Sequence, residues 1–63
     1  VIGMARSEYL CKGNVGGMHV DVYLDTAFCV PFFLDGSHRV DINSENIGHF
    51  DEKTQKALKE RFY

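Results

Sequence analysis

The sequence predicts a small α+β domain: a small antiparallel sheet of three or four strands in a meander, with one C-terminal helix packed on one face. Three observations carry that prediction. Residues 18–24 alternate cleanly, with Met18, Val20, Val22 and Leu24 set against His19, Asp21 and Tyr23, the period-two pattern of a strand with one face buried and one wet. Residues 28–42 hold two apolar runs split at Asp35 and Gly36, where a β-hairpin needs residues at positive φ. Beyond residue 51 the alternation stops, and Thr54, Ala57, Leu58, Arg61 and Phe62 recur at helical spacing.

Taken in chain order, residues 6–12 read as a short strand with Tyr9 and Cys11 on one side and Glu8, Leu10 and Lys12 on the other. Residues 13–17, Gly-Asn-Val-Gly-Gly, read as the turn that ends it. After the strand at 18–24, Asp25 and Thr26 form a tight turn into a strand that starts at Ala27. Residues 43–49 are a polar connection in which Ile47, with Phe50 just beyond it, supplies an apolar anchor. Asp51 is placed to cap a helix that runs to about residue 61 or 63, with Glu52 complementing the dipole in its first turn. Such a helix, apolar in its stripe only at Ala57, Leu58 and Phe62, must lean on the sheet. The first three residues, ahead of Met4, read as a start-codon ambiguity or a processing remnant and carry no structural weight.

With two-residue turns, Val22 faces Cys29, Leu34 faces Ser37 and Cys29 faces Ile42, and this register sorts the sheet into two faces. The first face, carrying Met18, Val20, Val22, Leu24, Ala27, Cys29, Pro31, Phe33, Val40 and Ile42, is a core. The second carries an apolar ridge of Phe28, Val30, Phe32 and Leu34, flanked by Tyr23 and Asp21 on one side and by Arg39 and Asp41 on the other. Pro31 resists this register, because its missing N–H falls where the ladder needs a donor; pairing that stops short of Pro31, or a bulge or longer loop at Asp25 to Ala27, resolves the conflict.

Sixty-three residues with 44% hydrophobic and 25% charged composition make one folded domain, small enough that its stability is marginal without help. A net charge of −2, with acids and bases dispersed, provides no basic field for phosphates and disfavours nucleic acid as the partner. Two cysteines make no disulfide framework, and neither a signal-peptide pattern nor a membrane-spanning apolar run is visible. The expectation is a cytoplasmic protein with reduced thiols, no membrane association and no cofactor.

No motif points to chemistry. Cys11, His19, Cys29, His38 and His49 are possible metal ligands, but they lack the close pairs of a zinc knuckle, so no metal site is assigned. The glycine-rich 13–17 segment lacks the lysine and the following helix of a phosphate loop. Cys29, placed between Val22 and Ile42, is expected to be buried and inert, and Cys11 has only Lys12 as an activating neighbour. Asp25-Thr26-Ala27 between apolar runs resembles the catalytic turn of retroviral-type aspartic proteases over three residues. It lacks the usual third-place glycine in a chain short for that fold, and a plain turn is the reading adopted.

The functional expectation therefore rests on the second face, since one helix covers only one side of a sheet. An exposed apolar ridge marks a protein-binding surface. The expected protein is a non-enzymatic interaction module, a regulator or inhibitor of the phage or mobile-element accessory type. It is expected to be homodimeric and to bind a protein partner through Tyr23, Phe28, Val30, Phe32, Leu34 and Arg39. The alternatives are a sheet-based nucleic-acid-binding regulator of transcription or translation, and a closed monomer in which residues 1–11 fold back over the ridge.

Overall fold

The computed structural model describes residues 6–63. It is an antiparallel four-stranded meander in the order β1-β2-β3-β4, formed by Ser7–Val15, Met18–Asp25, Val30–Asp35 and His38–Asp41. A short 3-10 turn, Ile47–His49, leads into the single α-helix α1, Glu52–Phe62. The predicted α+β architecture is present, with four strands. The expectations about residues 1–5, including their part in any fold-back, lie outside the described residues.

Strand β1 runs through Val15, three residues past its predicted end at Lys12 and into the predicted turn, because in that segment only Gly16 and Gly17 take left-handed φ values, +57° and +87°. Gly13 stays in the strand, opposite Val20. Between Tyr9 and Cys11 the register shifts by a bulge at Leu10, so Tyr9 pairs with Tyr23 while Cys11 pairs with Val22. Tyr9 and Cys11 thus lie on opposite faces, contrary to simple alternation, and Leu10 and Cys11 both reach the core.

The predicted turn at Asp25 and Thr26 is a four-residue loop, 26–29, and Ala27, Phe28 and Cys29 lie outside the sheet. Val22 therefore pairs with Phe33 in place of Cys29. The second hairpin turns at Gly36 and Ser37, since Asp35 pairs with His38 and Leu34 with Arg39 in place of Ser37. Only Gly36 has positive φ there, +64°, as a turn with glycine at its first central position requires. Both displacements are even, four residues (29 to 33) and two (37 to 39). An even slip keeps every strand residue on its predicted face. Pro31 is accommodated by the longer loop: it pairs with Leu24, and its carbonyl accepts from the Ile42 N–H at 2.8 Å, so its missing donor falls outside the β2–β3 ladder.

The core gathers Val22, Phe33, Ile42, Ile47, Phe50 and Leu58, with Phe33 and Phe50 edge to face at 5.5 Å. Phe50 and Asp51 bring the chain back along the free edge of β1. The Gly16 N–H donates to the His49 carbonyl, the Asp51 N–H donates to the Asn14 carbonyl, and Asp51 Oδ1 accepts from the Asn14 N–H at 2.8 Å. The same carboxylate caps α1 by accepting from the Thr54 N–H at 3.1 Å and the Thr54 hydroxyl at 2.6 Å. One side chain thus starts the helix and fastens it to the sheet. Thr54 and Leu58 are the buried residues of α1, and Phe62 packs against the core.

Candidate interaction face

The face opposite α1 is built from alternate residues of all four strands. Tyr9, Tyr23 and Phe32 form a row across β1, β2 and β3. Tyr9 meets Tyr23 edge to face at 5.7 Å, and Tyr23 stacks on Phe32 at 5.8 Å. Arg39 on β4 completes the row, its guanidinium carbon 4.2 Å from the Phe32 ring centre. From there it spans β3, donating through Nη1 to Asp25 Oδ2 at 2.8 Å and through Nε to Asp41 Oδ1 at 2.6 Å.

These contacts set the electrostatics. The Arg39 bond, foremost, holds the Asp25 carboxyl below its ordinary value against the opposing effect of burial, and the Ala27 and Phe28 amides add to it. Asp41 and then Asp25 raise Arg39 further. Desolvation, followed by the Asp21 carboxylate, pushes the Tyr9 phenol up. The guanidinium is therefore committed to two carboxylates and a ring, which makes it a clamp and not a free cation.

Of the six residues assigned to the site from sequence, the fold brings Tyr23, Phe32 and Arg39 into direct contact. Leu34 pairs across strands with Arg39 and is 51% exposed, and Val30 is half-buried at the start of β3. Two expectations need correction. Phe32 is buried at 6% exposure beneath its neighbours and is not the crest of a ridge. Phe28 is 76% exposed but stands on the 26–29 loop, because β3 starts two residues after it. The exposed apolar side chains of this face and its adjoining loop are therefore Tyr9 (51%), Leu34 and Phe28.

Sequence reasoning missed two members of the site. Tyr9 has no place on either sheet face in the sequence reading, which sets it on one side of its strand with Cys11, because a bulge leaves no mark in the alternation. Asp25 was read as a turn residue, although it is buried and carries the ion pair; the only available hint was its position as the last polar residue of the β2 alternation.

One of the two thiols differs from expectation as well. Cys29 is exposed on the loop at φ +56°, not packed between Val22 and Ile42. Cys11 is half-buried, and burial followed by the Asp51 charge raises its thiol, which keeps it protonated and weakly nucleophilic. Among the described residues, no three of the His, Cys, Asp and Glu side chains converge as a metal site would need, and no helix is long and apolar enough to cross a membrane. No family model, no curated protein and no solved structure matches this chain.

Proposed function

We propose that this protein is a non-enzymatic interaction module, a small regulator or inhibitor that binds a protein partner, a second copy included, through the sheet face opposite α1 and the adjoining 26–29 loop. The observation that carries this reading is that, among the described residues, the sheet is packed from one side. The 3-10 turn, the residue after it and the helix supply Ile47, Phe50 and Leu58 to the Val22 and Phe33 side. On the other side Tyr9 and Leu34 stay half exposed, with Phe28 on the loop at its margin. Aromatic residues with low side-chain entropy, framed by charges, are the composition of protein interfaces.

The same geometry counts against the rival, a stacking platform for nucleic acid. Base stacking needs free ring faces and uncommitted cations, whereas Phe32 is covered and Arg39 is paired with two carboxylates.

A doubly substituted chain, Phe28→Ser with Leu34→Glu, tests the reading because both side chains are exposed and the fold has no need of them. The native chain is expected to retain a protein partner from its host extract or to self-associate in sedimentation. The variant is expected to lose both while keeping its circular dichroism spectrum. A monomeric native chain that retains no protein, or that retains nucleic acid in a salt-sensitive way, would sink the proposal.

A further inference from the structure

We infer that Asp25 is the positioning residue of the 26–29 loop and that it holds Phe28 outward in a fixed presentation, with Arg39 in turn holding Asp25; the value of that presentation rests on the interaction surface proposed above.

Core packing does not order residues 27–29. None of Ala27, Phe28 and Cys29 belongs to the core cluster or packs against it. Phe28 is almost wholly in solvent, and Cys29 takes a left-handed backbone that disfavours a residue with a Cβ. Against this stands one buried carboxylate whose two oxygens do different work. Asp25 Oδ1 accepts from the Ala27 N–H at 2.9 Å and the Phe28 N–H at 3.3 Å, and Oδ2 accepts from Arg39 at 2.8 Å. A buried carboxylate needs such partners, and here they are the first half of the loop and the clamp of the aromatic row. The Thr26 N–H donates to the Arg6 carbonyl at 2.9 Å at the start of the loop. Loop and sheet face therefore share one anchor. An aromatic side chain held this way meets a partner without the ordering cost that a free loop would pay.

Amide hydrogen exchange on the full chain tests the assignment without any partner. Asp25→Ala is expected to speed exchange at Ala27 and Phe28 by about tenfold or more, the range for losing a charge-assisted hydrogen bond, with Val22 and Phe33 unchanged. Asp25→Asn, whose side-chain oxygen can accept from the same two amides, should restore most of the protection. Exchange unaltered in Asp25→Ala, or accelerated equally at Val22 and Phe33, or Asp25→Asn as fast as Asp25→Ala, overturns the assignment. If Asp25→Ala does not fold, Arg39→Met takes its place: faster exchange at Ala27 and Phe28 than at Val22 supports the assignment, and equal exchange overturns it. Failure of the interaction surface would be distinct, since Phe28→Ser would then leave partner retention intact while these exchange results stood.

Discussion

The Tyr63 hydroxyl donates to the Ile42 carbonyl at 3.0 Å, in the place that a β-ladder would give to the N–H of residue 31. In an antiparallel pair two opposed residues exchange both N–H and C=O, and the Ile42 N–H does donate to the Pro31 carbonyl at 2.8 Å. Proline returns nothing. The carbonyl of a residue only 2% exposed would be left without its strand partner, and the phenol at the end of α1 supplies the missing donor. Tyr63→Phe should therefore cost about 1 kcal/mol, as one hydrogen bond does, read as a lower urea midpoint. In a Pro31→Val background, where the backbone donor is restored, the same substitution should cost clearly less. Equal costs in the two backgrounds would show that the two donors do not substitute for each other.

Gly13 marks a close approach of α1 to the sheet. A Cβ there would lie 3.1 Å from both Thr54 Cγ2 and Thr54 Oγ1 and 3.3 Å from a Phe50 ring carbon. Thr54 is buried and tied to Asp51, so it cannot give way without loosening the helix cap. Gly13→Ala is expected to destabilise by about 1–3 kcal/mol, the range for overpacking, and Thr54→Ser should recover part of that loss by removing Cγ2. Gly48→Ala, where a Cβ meets nothing within 4 Å, serves as the control and should stay within about 0.5 kcal/mol. Thermal unfolding of the four chains checks the set.

Those glycines show how far the sequence could be read. The face on which β2, β3 and β4 residues lie was legible because alternation is local and survives any even slip in register. Asp51 was legible as a cap because a carboxylate before a helical stripe has a local meaning. Gly13 was not, because its reason is Thr54, a neighbour forty-one positions away (54 less 13). Loop length after Asp25 was legible only as one way out of the Pro31 conflict, since the Asx-type bonds that make residues 26–29 a compact loop do not by themselves distinguish it from a two-residue turn in the sequence. Phe28 consequently changed from a sheet residue to a loop residue. The bulge at Leu10 moved Tyr9 into the aromatic row for the same kind of reason: backbone irregularities are set by what packs across them.

Asp51 should make acid the weak direction of this fold. Its bonds to Thr54, first of all, and to the Asn14 amide lower its folded pKa from 3.8 to about 2. A carboxyl with a depressed folded value contributes stability that is fully present above its unfolded pKa and is lost as pH falls through the folded one. The loss should therefore develop from about pH 4 down to about pH 2, and Asp25, lowered mainly by Arg39, acts in the same direction. Asp51→Asn keeps a competent cap but does not titrate, so its urea midpoint should vary less over that interval than the native chain's. Parallel curves for the two chains would mean that the cap carries no pH dependence.

Phe28 and Phe32, which simple alternation puts on one ridge, should behave as opposites. Phe32 lies at 6% exposure between Tyr23 and the Arg39 guanidinium, so truncation leaves a cavity under a clamp that has lost its ring. Phe32→Ala should cost about 3–5 kcal/mol, a large share of what a domain of this size possesses. Phe28, at 76% exposure, gives up nothing in the folded monomer, and Phe28→Ala should stay within about 0.5 kcal/mol of native. Chemical denaturation of both variants reads the contrast. A comparable loss at Phe28 would mean that its ring is packed in solution, and the loop would then be part of the core and unavailable to a partner.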